Sequence, residues 1–272
     1  DTAMRALKMN GTGNAFLLLD ARNQDVEITP ERLAAWSAAH AFDQLLKLGP
    51  SNKADARYRI WNRDGGEVGA CGNGARCAGW YLTGKKDCTS AWLEAAYGIT
   101  ETRRTGDRQM WVDLGEAHTG WTDIPLAREM DTVSMDYEIG LDGLRIGQPG
   151  AVSMGNPHAV FVVDNVMSVP IATLGPRIET DPLFPERVNA GFMEIRAPDH
   201  IRLRVWERGA GLTLACGTGA AAAVVAGHRK GLLDRSCRVT VDGGELSVTW
   251  EENNHVWIEG PVEYEGEVKL EP

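Results

Sequence analysis

With 272 residues, 43% hydrophobic and 24% charged, the chain has the composition of a globular protein with an ample core, arranged as one large domain or two ordinary ones. A formal net charge of −10 argues against nucleic acid or an anionic membrane surface as a partner. No apolar run reaches membrane-spanning length, the N-terminus lacks a signal-peptide pattern and the five cysteines are an odd number, so a reducing, cytoplasmic location with reduced thiols is expected.

Residues 5–9 and 16–20 read as strands around a glycine turn, Gly11-Thr12-Gly13-Asn14. Thr29 as N-cap and Pro30 at the first helical position open a helix whose apolar face carries Leu33 and Trp36. Residues 44–48 form a short buried strand, and 57–61 alternate as a strand ahead of a Gly-rich turn. Cys71-Gly72 follows, then Asn73, a helix-capping type of residue. The small-residue helix beyond it is expected to end near Gly84, with Lys85 and Lys86 suiting its C-terminal dipole. Strands are predicted over 92–97, 99–103 and 109–113, and an irregular linker over 119–128.

Residues 151–163 read as a strand pair around Met154-Gly155-Asn156-Pro157-His158, whose Gly-Asn echoes Gly13-Asn14 at an offset of 142. The run 202–206 alternates as a strand and leads to Cys216-Gly217-Thr218, with Thr218 again of the capping type. The following helix has no wide polar face over 219–227, which predicts burial, and ends near Gly231 after Arg229 and Lys230. Runs 237–241, 245–249 and 255–258 read as a β-meander, with Asp242-Gly243-Gly244 as one turn. Residues 267–270 form a last strand that could return to the first half.

The two cysteine segments are copies of one unit. They align without a gap at an offset of 145, and over residues 57–78 eleven of the 22 aligned positions are identical. The predicted domains are 1–118, joined by a returning strand within 263–272, and 119–262. Each is expected to wrap strands around one buried small-residue helix. Two such units would meet with helix N-termini facing, placing Cys71 and Cys216 across one cleft. At a helix N-terminus the dipole and the amide N–H groups stabilise a thiolate and bind a carboxylate.

A structural disulfide conflicts with the expected reducing compartment. A metal site fits poorly, because the Cys71–Cys77 spacing matches no common zinc pattern and histidines are lacking nearby. Two thiols of near-neutral pKa can instead act on opposite faces of one carbon. One removes a proton while the other returns one, which inverts the centre. Cys77, Cys88 and Cys237 read as bland, and the nine tryptophans as core and interface material.

Four motifs carry a resemblance: Cys-Gly-Asn-Gly-Ala-Arg-Cys at 71–77, Gly-Asn-Pro-His at 155–158, Pro-Leu-Phe-Pro-Glu-Arg-Val-Asn at 182–189 and Glu-Arg-Gly…Ala-Cys-Gly-Thr-Gly at 207–219. Together they resemble the diaminopimelate epimerase family over essentially the whole chain. The resemblance implies an α/β fold of the α+β type, with two pseudo-symmetric domains. Each would be a mixed or antiparallel sheet around a central buried helix, with the active site between the domains. It also implies an isomerase without pyridoxal phosphate or metal that interconverts LL- and meso-diaminopimelate in lysine and peptidoglycan precursor synthesis, commonly as a homodimer. The implied partner is this small-molecule substrate, with no nucleic acid and no membrane.

Carried over by position, Cys71 and Cys216 are the two bases. Gly72, Asn73, Gly217 and Thr218 offer backbone N–H groups to the carboxylate at the reacting carbon. Asn62, Asn156, Asn189 and Arg208 hold the distal carboxylate. Glu207 takes the distal ammonium and, with His158, supports the acid–base chemistry, while Asn14 and Gln44 complete the binding set. Read without the family, His158 is a hydrogen-bonded structural residue, Asn189 a turn cap and Arg208 an ion-pair partner of Glu207.

The sequence departs from the family pattern at Asn10 and Ala15, in the shortened segment ahead of Asp43-Gln44, and at Leu212, where many members have Glu. A proline or hydroxyproline racemase-type enzyme and a non-catalytic binding protein on the same scaffold are the alternatives. The distal set Asn62, Glu207 and Arg208 argues for a substrate with a second amino-acid end.

Overall fold

The structure, a computed structural model, describes residues 4–69, 72–96 and 98–272. Backbone proximity divides it into two units, Asp1–Asp113 with Glu259–Pro272, and Leu114–Ile258. Both mix strands and helices, in an α+β fold dominated by β-structure.

In the first unit β1 (Met4–Gly11) and β2 (Asn14–Asp20) form an antiparallel hairpin. Thr12 and Gly13 turn it with φ of 49° and 87°, and the Asn10 side chain accepts the Gly13 N–H at 2.8 Å. Asn10 thus serves the turn at one of the positions where the family pattern differs. Helix α1 (Pro30–Ala39) starts as expected, with the Thr29 hydroxyl accepting from the Arg32 N–H at 3.1 Å. Its Leu33 and Trp36 are buried against Leu17, Leu19, Leu45 and Trp61.

Strand β3 (Gln44–Gly49) runs parallel to β2, and β4 (Ala56–Asn62) runs antiparallel to β3. A short β5 (Glu67–Val68) precedes α2 (Gly72–Lys86). Strand β6 (Ser90–Ala95) returns parallel to β4, and β7 (Gly98–Gly106) and β8 (Gln109–Glu116) continue antiparallel. Helix α2 packs against β1, β2, β3, β6 and β7, so strands surround it. Its small residues are sterically required: a Cβ on Gly74 would stand 2.6 Å from the Tyr58 Oη, and one on Gly79 would stand 2.5 Å from the Thr102 Oγ1. The helix does not stop near Gly84. It runs to Lys86, and Asp87, with φ of 49°, supplies the left-handed residue that glycine was expected to supply.

The second unit repeats this order of pairings. It adds a hairpin of β9 (Glu138–Leu141) and β10 (Leu144–Gly147). Then β11 (Gly150–Ser153) and β12 (Pro157–Val162) pair antiparallel, as the first hairpin does. Helix α3 (Ile171–Glu179) occupies the place of α1, in the crossover to β13 (Asn189–Ala197), which is parallel to β12. Strand β14 (His200–Glu207) is antiparallel to β13. A short β15 (Gly211–Leu212) precedes α4 (Gly217–Arg229). Strand β16 (Ser236–Val241) returns parallel to β14, followed by β17 (Gly244–Trp250) and β18 (His255–Pro261). Finally β19 (Glu263–Leu270) pairs antiparallel with β1 in the first unit.

Helix α4 is buried from Gly219 to Gly227, as its all-round apolar sequence predicts, and Gly231 follows its C-terminus with φ of 76°. Two expectations change. Residues 119–128 are irregular but are no solvent-exposed linker, because Ile124 and Leu126 are buried in the core of the second unit. Thr218 does not cap α4. Helical geometry starts at Gly217, and Cys216 is the N-cap, with its sulfur accepting the Gly219 N–H at 3.3 Å. Among the described residues no helix is long and apolar enough to cross a membrane.

Candidate active site

In the first unit the site residues lie at strand ends. Gln44 begins β3, in register with Phe16 on one side and Asn62 on the other. Its amide donates to Asn62 Oδ1 at 2.9 Å, and Asn14 donates to Gln44 Oε1 at 3.5 Å. Three side-chain amides therefore form one row. Asp43, directly ahead of Gln44, is tied to Ala15 twice: Ala15 N–H donates to Asp43 Oδ2 and Asp43 N–H to Ala15 O, both at 2.8 Å.

Cys71 lies outside the described residues. Gly72 is the first residue of α2, and Asn73 is buried, its Oδ1 accepting from the Thr12 hydroxyl at 3.0 Å. Beneath it the fully buried Arg76 donates to Thr12 Oγ1 at 3.2 Å. Sequence reasoning passed over Arg76 and Thr12, although Arg76 sits within the 71–77 motif.

In the second unit eight of the nominated residues converge at the N-terminus of α4. Asn156 Nδ2 donates to Thr218 Oγ1 at 3.1 Å, and His158 Nε2 stands 3.1 Å from both Asn156 Oδ1 and Thr218 Oγ1. Cys216 Sγ lies 3.7 Å from Thr218 Oγ1. Asn189 links the strands, donating to Pro157 O at 2.8 Å and accepting the Arg208 N–H at 2.7 Å. It is 4% exposed, so it is an interior connector and not a surface turn cap. Gly217 is the first residue of α4, directly after Cys216.

Glu207 and Arg208 do not bond one another. The Arg208 guanidinium donates to Glu186 O at 3.0 Å, while the Glu207 carboxylate accepts from the Thr213 hydroxyl. Burial raises the Glu207 carboxyl above the usual carboxylate range, and hydrogen bonds from Thr213 and Cys216 partly offset this. His158 moves the other way. Burial, reinforced by the positive charge of Arg208, lowers its pKa to about 3, so the ring is neutral near pH 7.

Glu179, at the end of α3, was invisible to sequence reasoning because it has no motif and no counterpart in the repeat. Its buried carboxylate accepts from Trp206 Nε1 at 2.9 Å, Gly209 N–H at 3.1 Å and Arg187 at 2.8 Å, which pins both ends of the Glu207-Arg208 segment. Leu212 is exposed at the edge of this segment.

The family model for diaminopimelate epimerase matches residues 6–119 and 150–268. The diaminopimelate epimerase of Phenylobacterium zucineum (strain HLK1) is 47% identical over 267 residues, 96% of each chain. That of Acidiphilium cryptum (strain JF-5) is 45% identical, over 96% of this chain and 95% of its own. Among solved structures, a hydroxyproline epimerase from Agrobacterium vitis with bound trans-4-hydroxy-L-proline shares the fold at a TM-score of 0.69 and 14% identity, covering 99% of this chain and 91% of its own. A phenazine biosynthesis protein of the PhzF family from Bacillus anthracis does so at 0.68 and 15%, covering 100% of both chains. The chain therefore belongs to the diaminopimelate epimerase family of isomerases.

Proposed function

We propose that the protein interconverts LL- and meso-2,6-diaminopimelate by two-base chemistry, with Cys71 and Cys216 as the bases on opposite faces of the reacting carbon. The observation that carries this reading is the corner around Cys216. Its sulfur caps a buried helix, receives the Gly219 N–H, and shares a hydrogen bond with a carboxyl whose proton affinity is raised. A thiol–carboxyl pair of this kind can hold one proton between two sites, which suits a group that alternately takes up and delivers one. Cys71 occupies the same place in the other copy of the repeat.

The amides at Gly72, Asn73, Gly217 and Thr218 are assigned to the carboxylate next to the reacting carbon, as helix N-termini favour anions. Asn62, Asn156, Asn189 and Arg208 are assigned to the distal carboxylate, with Asn14 and Gln44 completing the rim, and Glu207 to the distal ammonium. His158, held neutral by burial, orients Asn156 and Thr218 and, with Glu207, is assigned to support the acid–base chemistry. In this reading each half of the duplication, 1–118 with the returning strand and 119–262, contributes one base. The enzyme works without pyridoxal phosphate or metal, as a cytoplasmic homodimer supplying lysine and peptidoglycan precursors.

Incubation with LL-diaminopimelate in deuterated water, without added cofactor, tests the reading. The expected outcome is meso product carrying deuterium at the inverted carbon. Deuterium exchange without inversion, or no reaction beside active turnover of proline or hydroxyproline, would refute it.

A further inference from the structure

The two copies of the repeat support their cysteine helices with different chemistry. In the first copy the residue two places after the cysteine is Asn73, and its Oδ1 accepts from Thr12. In the second copy it is Thr218, which stands between Cys216, Asn156 and His158.

The direction of each hydrogen bond in the second copy follows from elementary donor and acceptor counting. Asn156 Oδ1 can only accept, so the His158 Nε2 at 3.1 Å carries the hydrogen. Asn156 Nδ2 can only donate, so Thr218 Oγ1 accepts from it at 3.1 Å. A protonated Nε2 cannot accept from Thr218 either, although it stands 3.1 Å from that hydroxyl. The single hydroxyl proton of Thr218 is therefore left for the Cys216 sulfur at 3.7 Å. Burial keeps His158 neutral, which preserves this tautomer across the neutral range.

We propose that Thr218 is a positioning residue whose hydroxyl, aimed by Asn156 and His158, donates its proton to the Cys216 sulfur and favours the thiolate. The inference rests on the reading of Cys216 as a base, and it adds a role to a residue whose backbone N–H that reading already uses. The sulfur then receives the Gly219 N–H and the Thr218 O–H, while the Glu207 carboxyl shares its proton. Among the described residues, the titratable and charged groups around this corner include Glu207, bonded to Cys216 and Thr213, neutral His158, and Arg208, whose charge acts on His158. Asn73, at the equivalent place in the first copy, carries an amide and no hydroxyl, so this O–H donor belongs to the second copy by residue type.

The test uses the full chain without substrate. Iodoacetamide alkylation of the Cys216 peptide is followed by mass spectrometry as a function of pH, for the unaltered protein, Thr218→Val and Thr218→Ser. All three retain the backbone N–H at 218, and the Glu207 titration is common to them. Thr218→Val is expected to raise the alkylation midpoint by about one pH unit, roughly tenfold less thiolate below it, while Thr218→Ser stays near the unaltered value. Epimerase kcat should fall in the same order, with KM little changed. Thr218→Ala serves if the valine variant does not fold. A midpoint that valine or alanine leaves in place, or that serine moves as far as valine, overturns the proposal. Epimerisation retained by Cys216→Ala would instead overturn the base assignment, which the alkylation profile does not depend on.

Discussion

His158 offers a sharp test of how the second unit is built. The ring is 1% exposed, and burial lowers its pKa from the ordinary 6.5 to about 3. The unfolded chain takes up a proton as pH falls through about 6.5, whereas the folded protein does not until about 3. The histidine therefore makes no demand on stability at high pH and costs progressively more as the solution is acidified between these values. At pH 5 the difference amounts to about 2 kcal/mol, and at pH 7 to about 0.2 kcal/mol. Replacing His158 with glutamine keeps a neutral polar group able to bond Asn156 and Thr218 but removes the titration. Urea unfolding at both pH values should show that the unaltered protein loses about 2 kcal/mol more than His158→Gln between pH 7 and pH 5. The other acid-sensitive groups are common to both proteins and cancel. The imidazole resonances of folded His158 should also stay constant over this range. An equal pH dependence of stability in the two proteins, or a ring that titrates near its ordinary value, would show that burial does not govern this histidine.

A Cβ added at Gly175 of α3 would stand 2.4 Å from Trp206 Cγ, in a ring held by its bond to Glu179, so Gly175→Ala should destabilise by about 1–3 kcal/mol in thermal unfolding. Because Trp206 precedes Glu207, epimerase activity should fall as well; an alanine variant with unaltered stability would mean that α3 can shift at no cost. Arg208→Lys should lose roughly ten- to hundredfold of diaminopimelate turnover, since a point charge cannot reproduce a planar fork. It should lose far less of any α-deuterium exchange with lysine, which lacks the distal carboxylate. Equal losses on both substrates would remove Arg208 from the distal end.

Several features were legible because their causes are local. Thr29-Pro30 started a helix by capping chemistry, period-two alternation marked 57–61 and 202–206 as strands, and an unbroken apolar surface marked α4 as buried. The hairpin β9–β10 was passed over although its Asp142-Gly143 turn is a local signal, both residues having positive φ. Helix α3 was passed over for a different reason: Pro176 lies inside it, and a nine-residue helix with an internal proline does not announce itself by pattern.

The sequence by itself determined that one unit occurs twice, that each copy places a cysteine before a small-residue helix, and which family the motifs resemble, because each of these is written in residue type and spacing. It could not decide what the polar side chains of those motifs bond. Adjacent Glu207 and Arg208 looked like an ion pair, yet strand geometry sends them to Thr213 and Cys216 on one side and to the Glu186 carbonyl on the other. Nor does residue type reveal that strand register and Asp43 hold Gln44 in line with Asn62. Cys216 itself, and not Thr218, caps α4, its sulfur lying over Gly219, where an added Cβ would stand 3.1 Å from it. The proton affinities of His158 and Glu207 likewise depend on burial by residues remote in sequence, and desolvation is a property of three-dimensional surroundings alone.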